Sequence, residues 1–342
     1  MFSFRATRLA PSPTGALHLG HARTFLITWW LARQAGARIH MRMEDLDMAR
    51  ARPDSIQQAY DDLHWLGMDW DAYEETRNAT CETRNEVVQS ERLALYAEAL
   101  EILWRAGAAY PCTCTRADIA ASVAASASAP HETDAQPRYP GTCRDKFAAA
   151  ASLAETLAAV HAATGKPACL RLRVPPGPVA FDDLLAGPQS FDVAADAGDF
   201  PITRFATPTD LPPAYQLACV VDDQAMGIDL VIRGADLLPS TPRQILLYRA
   251  LGHAPPRFAH VPLVIGLDGK RLAKRHGESR IAQFRAAGVS AERIVGWVAW
   301  RSGQMDTPRE ISAREMIAQF DITRLPGQRI ILGTDDLAFL RP

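Results

Sequence analysis

A short apolar strand that runs into a proline-braced turn and straight out into a helix leaves few architectures open to a chain, and the first 36 residues read that way. Phe4 to Ala10 is strand-like, and in Pro11-Ser-Pro-Thr-Gly15 two prolines fix φ while Gly15 supplies permissive backbone. Apolar residues then recur at Leu19, Ala22, Leu26 and Trp29, with Phe25 and Trp30 beside them, until Gly36 closes the run. Unpaired backbone N–H groups and the positive helix end at such a junction favour a phosphate. His18 and His21 add donors there, and Gly20, having no Cβ, lets an adenine or ribose lie close to the backbone.

A second signature lies far downstream. The strand-like run Phe258 to Ile265 leads through a Leu267-Asp-Gly269 turn into Gly269-Lys-Arg-Leu-Ala-Lys274-Arg-His-Gly277. Lys274 on this glycine-flanked loop can move beside the phosphates and stabilise the charge that builds as pyrophosphate leaves. Between the two signatures, His40-Met-Arg-Met-Glu44 alternates as a strand, which frees Glu44 to point into a crevice at the strand's carboxyl end. A carboxylate there suits an α-ammonium group. Arg8 and Arg233 each follow an apolar, strand-like run and offer planar forks to carboxylates, and Tyr215 could add a hydroxyl.

With 342 residues and 48% hydrophobic content, the chain has material for two or three domains. A net charge of −2 argues against a protein that coats nucleic acid indiscriminately, so any such contact falls to local basic patches such as Arg271 to Arg280. No run of eighteen apolar residues and no basic-flanked apolar leader occurs, so the expectation is a cytoplasmic protein without a membrane partner. The six cysteines, at 81, 112, 114, 143, 169 and 219, do not read as a disulfide framework. Cys112-Thr-Cys114 puts two thiols on one turn before an Ala/Ser-rich stretch from Ala120 to Ala129, and Cys143 returns a third. Zinc takes four such ligands in a tetrahedron, and spacing leaves His131 and Tyr139 both open as the fourth.

Strand and helix patterns alternate from residue 1 to about 92, including a helix from Ser55 whose Ile56, Ala59, Leu63 and Leu66 share a face. Ser90 to Ala106 reads as another helix. The cysteine region and the strand-like stretch Ala168 to Val193 then look like an insertion, and sheet-type alternation resumes from Tyr215 to Arg233. After the late loop the pattern is helical, with Ser290 and Ser312 as caps. The expected organisation is an α/β fold whose parallel sheet is built from 1–92 and 213–254, split by a zinc-bearing insertion at 93–212 and followed by a small helical unit at 255–342.

His18-Leu-Gly-His21 and Arg271-Leu-Ala-Lys274-Arg275 stand in the order and context of the His-Ile-Gly-His and Lys-Met-Ser-Lys-Ser motifs. The chain therefore resembles class I aminoacyl-tRNA synthetases of the glutamyl/glutaminyl group, from Arg5 to about Leu340, and most of all their truncated paralogues. Arg271 and Ala273 depart from the family's lysine and serine, while Lys274 is retained.

The resemblance implies a Rossmann-type catalytic domain, a helical stem-contact-like domain and no anticodon-binding domain. It implies ATP as substrate at His18, Gly20, His21 and Lys274, with magnesium, and catalysis by His18, His21 and Lys274 without an enzyme-bound acyl group. L-Glutamate would be held by Arg8, Leu9, Ala10, Pro11, Ser12, Glu44, Tyr215 and Arg233. Which arginine takes the side-chain carboxylate stays open in the sequence, and we assign Arg233. One structural zinc on Cys112, Cys114, Tyr139 and Cys143 is implied as well. The implied reaction is tRNA-independent formation of glutamyl-adenylate, followed by transfer to the queuosine base at the wobble position of tRNA(Asp) by a monomer. A truncated enzyme charging a tRNA 3′ end and a non-catalytic tRNA-binding paralogue are the alternatives.

Overall fold

A computed structural model describes residues 3–13, 15–47, 53–77, 80–126, 138–205, 207, 210–270, 272 and 279–342. His131, Lys274 and most of the loop around Lys274 lie outside them. The first stretch runs β1 (Ala6–Leu9), α1 (Leu19–Ala35), β2 (Arg38–Met43), α2 (Pro53–Trp65), the hairpin β3 (Tyr73–Arg77) and β4 (Thr80–Arg84), β5 (Glu86–Val88) and α3 (Leu93–Arg105). There follow β6 (Ala109–Cys112), α4 (Arg116–Ser126), α5 (Leu153–Thr164), β7 (Cys169–Leu172), β8 (Val179–Asp183), β9 (Gly187–Phe191) and α6 (Val193–Asp196). The chain continues through α7 (Tyr215–Ala225), β10 (Leu230–Gly234), α8 (Thr241–Ala250), β11 (Arg257–Val261) and β12 (Val264–Ile265). The last stretch is α9 (Ile281–Ala286), α10 (Ala291–Arg301), α11 (Ala313–Ile317), β13 (Ile330–Ile331) and α12 (Thr334–Phe339).

β1 pairs in parallel with β2, and β2 with β5, while β10 pairs in parallel with β11, and β11 with β8. The two groups meet where β10 lies along β1. There the Asp229 N–H donates to the Ala6 carbonyl at 3.2 Å, the Asp229 carboxylate accepts the Arg5 and Ala6 N–H groups at 3.0 Å, and the Thr7 hydroxyl donates to the Leu230 carbonyl at 2.8 Å. Chain order reverses across this seam, which makes the carboxyl ends of β1 and β10 a topological switch point and the natural place for a ligand crevice.

Both faces of the sheet are covered. Leu230 and Ile232 enter a core shared with α1, α2 and the late helices α10 and α11, whereas Val231 between them enters a second core with α3, α7 and α8. This is the period-two split of a strand buried on both sides. Trp29 and Trp30, adjacent in α1, are both fully buried, and their indole N–H groups donate to the Asp69 and Ala313 carbonyls at 2.9 and 3.0 Å. Helix α1 ends at Gly36 with φ of 63°, the left-handed conformation that glycine adopts without Cβ strain. Ser290 and Ser312 cap α10 and α11 through the Arg293 and Glu315 N–H groups.

Two expectations about elements are corrected. Tyr215 to Ala225 is helix, not strand: Leu217 through Asp223 is buried without interruption, so no polar face remains to reveal a 3.6-residue period. The strand read as Phe258 to Ile265 is two strands, interrupted at Pro262 and Leu263. Within 93–212 the chain also contributes to the main sheet, because β8 pairs with β11 at Asp183 and Phe258, and the Leu184 N–H donates to the Phe258 carbonyl at 2.9 Å. Among the described residues, no helix is long and apolar enough to cross a membrane.

Candidate functional site

A cleft of about 1160 Å³ opens at the seam, lined by the turn after β1, the start of α1, Glu44 after β2, the carboxyl end of β10, and Leu263, Val264, Leu272, Ser279 and Arg280. The first signature shares this cleft with Leu272 of the second, some 250 residues away in sequence. Leu272, Ser279 and Arg280 flank the undescribed loop residues and line it, His18 bridges Arg280 in antiparallel fashion, and the Ile281 N–H donates to the Leu17 carbonyl at 2.9 Å. Lys274 itself lies outside the described residues.

His18 is the N-cap of α1, and its Nδ1 accepts the Gly20 N–H at 3.1 Å. The His18 N–H points to Nδ1 of His21 at 3.4 Å, and the two rings stack with centroids 3.7 Å apart. With Nδ1 accepting in both rings, the proton of each neutral imidazole resides on Nε2, leaving an N–H donor. Burial, then the neighbouring His21, pull the His18 pKa down to about 3 against the pull of Asp236. The enclosing cleft walls pull His21 down to about 4, although its ring keeps contact with solvent. A Cβ on Gly20 would stand 3.1 Å from His18 Cε1 and 3.2 Å from Nδ1. A side chain at position 20 would therefore press on the capping ring, whatever ligand approaches.

Arg8, Ala10, Pro11, Ser12, Glu44, Tyr215 and Arg233 all line the cleft, while Leu9 is wholly buried in the core beneath. Tyr215, at the first turn of α7, stays partly open to the cleft, and desolvation pushes its phenol well above the ordinary range. Glu44 accepts from Arg42 Nη2 at 3.0 Å, and its N–H donates to the Pro11 carbonyl at 3.0 Å. Arg8 donates to Asp223 at 3.3 Å and to the Ile232 carbonyl at 3.2 Å, and Arg42 grips the same Asp223 oxygen. Burial works against the Arg42 charge, yet Asp223 and Glu44 outweigh it and raise its pKa. Burial likewise works against Asp223, and Arg42 and Arg8 hold it below the usual carboxylate range. Arg92, Tyr96 and Gln89 converge on the adjacent Asp222 at 2.7, 2.8 and 2.7 Å.

Sequence reading missed Asp223, which anchors Arg8, and its neighbour Asp222, which takes Arg92, as well as His260 and Thr241 beside Arg233 and Asp183 behind His260. A signal existed: two aspartates closing the apolar run Leu217 to Val221 can be tolerated there only if cations meet them.

Away from the cleft, the Sγ atoms of Cys112, Cys114 and Cys143 lie within 4.8 Å of one another. Cys114 and Cys143 sulfurs are 3.6 Å apart, and the Tyr139 hydroxyl is 3.3 Å from Cys112 Sγ while accepting the Cys143 N–H at 2.8 Å. Ligands about 2.3 Å from a tetrahedral ion stand about 3.8 Å apart, so this donor set fits a metal such as zinc. A hydrogen bond from Cys169 pulls the Cys112 thiol down against burial, whereas burial and Cys112 push Tyr139 up. Gly198 has φ of +69°, and a Cβ there would meet the Tyr139 carbonyl at 2.3 Å, so this glycine seats the tyrosine loop. The Arg171 guanidinium lies 3.8 Å from the Tyr139 ring centroid.

Residues 6–338 match the model of tRNA synthetases class I (E and Q), catalytic domain. A glutamyl-Q tRNA(Asp) synthetase of Symbiobacterium thermophilum is 47% identical over 334 residues, covering 97% of each chain, and one of Rhodopirellula baltica is 46% identical with 97% of this chain and 98% of that one covered. A glutamate–tRNA ligase of Geobacter sulfurreducens is 37% identical, and this chain spans 64% of its length. In three dimensions the chain is similar to a glutamate tRNA ligase of Elizabethkingia meningosepticum, solved in complex with its amino acid, with a TM-score of 0.78, 26% identity, and coverage of 98% of this chain and 68% of that one. The chain belongs to the family of class I tRNA synthetases of the glutamate and glutamine type.

Proposed function

We propose that this protein activates L-glutamate with ATP, without requiring tRNA, and transfers the glutamyl group to the queuosine base at the wobble position of tRNA(Asp). The observation that carries the reading is the shared cleft: the histidine turn, the flanks of the lysine loop and the acidic and basic residues expected for glutamate all line it. The end-to-end similarity to proteins named glutamyl-Q tRNA(Asp) synthetase supports the acceptor.

In this reading the triphosphate lies at the start of α1, where the backbone N–H groups, Gly20 and the Nε2–H groups of His18 and His21 meet it, with Lys274 reaching in from its loop. Neutral histidines donate hydrogen bonds without fixing a permanent charge, which suits phosphates whose charge shifts during reaction. Glu44 takes the substrate ammonium, Tyr215 and the Leu9 to Ser12 segment bound the pocket, and Arg8 and Arg233 meet the carboxylates, with Arg233 on the side chain. The α-carboxylate attacks the α-phosphorus of ATP, pyrophosphate leaves, and glutamyl-adenylate results. The protein's part is alignment and charge stabilisation, and magnesium accompanies the nucleotide. Zinc on Cys112, Cys114, Tyr139 and Cys143 would close a four-ligand site and so act structurally. The proposed division is 1–92 and 213–254 for the catalytic sheet, 93–212 for the insertion and 255–342 for the loop and helical unit, in a monomeric cytoplasmic protein.

Similarity to glutamate–tRNA ligases favours one competing reading, charging of a tRNA 3′ end. Pyrophosphate exchange with glutamate in the absence of RNA, followed by charging of tRNA(Asp) with and without queuosine, decides between them. Exchange without RNA and acceptance by the queuosine-containing tRNA alone are expected. Equal charging of the unmodified transcript would overturn the reading.

A further inference from the structure

Arg233 lines the cleft with a donor to spare. Nη1 of Arg233 is buried with no acceptor among the described residues. The other edges of the Arg233 guanidinium are pinned, with Nε donating to His260 Nε2 at 3.0 Å and Nη2 to the Thr241 hydroxyl at 2.8 Å.

A guanidinium cannot accept a hydrogen bond, so the contact forms only if His260 Nε2 carries a lone pair. The Thr241 oxygen, 3.2 Å from the same Nε2, accepts from Arg233 and can turn its own proton toward the ring. The ring proton then sits on Nδ1, 2.6 Å from Asp183 Oδ2. Asp183 is itself immobilised: its Oδ1 accepts the N–H groups of His260, Leu185 and Ala186 at 3.1, 3.0 and 2.8 Å. Asp183, Thr241, His260 and Arg233 are 3%, 0%, 1% and 4% exposed, so water cannot replace a lost partner. Asp183 and His260 are not on the cleft wall and act through Arg233.

We infer that Asp183 and His260 are positioning residues for the amino-acid substrate: Asp183 selects the tautomer of His260, and His260 with Thr241 fixes the plane in which the Arg233 guanidinium is presented at the cleft to a substrate carboxylate. This rests on the glutamate reading of the cleft. A carboxylate that holds an imidazole in one tautomer is an established way of setting what the far nitrogen can do.

Asp183→Asn keeps the shape and the Oδ1 acceptor but sets an NH₂ donor opposite Nδ1. The ring must then carry its proton on Nε2 and face Arg233 with a donor. In pyrophosphate exchange the KM for glutamate is expected to rise about 10- to 100-fold, the range of one lost hydrogen bond to a charged group. The KM for ATP and kcat at saturating glutamate should change less than about threefold, since only binding of the amino acid is affected. His260→Gln, whose Oε1 can stand near Nε2 as an acceptor, should recover most of the loss that His260→Leu causes. A wild-type glutamate KM in Asp183→Asn or His260→Leu overturns the inference, as does a parallel rise in the KM for ATP with falling kcat, the mark of general loosening. If Asp183→Asn does not fold, equal glutamate KM values in His260→Gln and His260→Leu overturn it instead. Failure of the wild-type protein to exchange pyrophosphate with glutamate, read before any variant, sinks the glutamate reading itself and is thereby distinguishable.

Discussion

Replacing Gly20 by alanine separates stability from activity in a way that tests how the histidine turn is built. A glycine within a helix costs about 0.5 to 1 kcal/mol relative to alanine, so Gly20→Ala should gain about that much from backbone entropy alone. Against this, the new Cβ would stand 3.1 Å from His18 Cε1 and 3.2 Å from Nδ1, closer than ordinary contact, and the ring is the flexible partner that must yield. If it rotates away, the cap from the Gly20 N–H, now 3.1 Å long, is lost at a cost of about 1 kcal/mol. The two terms nearly cancel, and the melting temperature should move by no more than about 3 °C. On the proposed function activity should not be spared, because a displaced His18 takes with it the His21 stack and a donor assigned there to the phosphates. Loss of one such donor typically costs about 100-fold or more, and pyrophosphate exchange should fall by about that factor. Calorimetry and exchange kinetics on the same preparation make the comparison. Wild-type exchange in Gly20→Ala would refute the reasoning, and so would a loss of activity accompanied by a melting temperature lowered by more than about 8 °C, which would signal collapse of the turn.

Further outcomes follow from the buried charges and the thiols. Asp223→Ala removes the acid shared by Arg8 and Arg42, both under 5% exposed, leaving Arg8 without an ion-pair partner, and should destabilise the protein by about 3 to 5 kcal/mol in urea titration, with a loss under about 1 kcal/mol refuting the network's importance. Cys143→Ser should reduce bound zinc from one per chain to none by elemental analysis and lower the melting temperature, and unchanged metal content would refute the ligand assignment. His18 has a folded pKa of about 3, below the 6.5 of an exposed histidine, so the unfolded state takes up the proton first. Its contribution is therefore present above about pH 6.5 and lost as pH falls toward 3, and His18→Gln should show a shallower decline of the urea midpoint between pH 7 and 4 than the wild type.

Local sequence was informative where a feature is local. The turn from Pro11 to Gly15, the Gly36 stop and the Ser290 and Ser312 caps each rest on chemistry within a few residues, and the helices they bound formed there. Reading failed at α7, because periodicity reports contrast between two faces and α7 has none: one side meets the apolar core and the other meets Arg8, Arg42 and Arg92. A helix that buries carboxylates as thoroughly as valines is indistinguishable from a strand by alternation alone.

The same contrast governs the site. Residues that present themselves to the cleft could be picked out by type and by the end of the strand they follow, which is how Arg8, Glu44 and Arg233 were found. Residues that hold them could not, since Asp223 lies 215 positions from Arg8 and Asp183 lies 77 from His260. Those pairings exist only because β8 joins β11 and α7 brings Asp223 within reach of Arg8 on β1 and Arg42 on β2, and no spacing rule reaches that far. The two arginines then differ in a way their sequence contexts do not show. Arg8 is tied to an acid and to a carbonyl before any ligand arrives. Arg233 meets only neutral partners through a histidine and a threonine hydroxyl, and keeps one edge of its fork without an acceptor. At Arg233 an incoming carboxylate would meet a cation with no direct acidic hydrogen-bond partner, instead of competing with an existing ion pair. That difference, set by tertiary contacts, supports the proposal that Arg233 receives a substrate carboxylate.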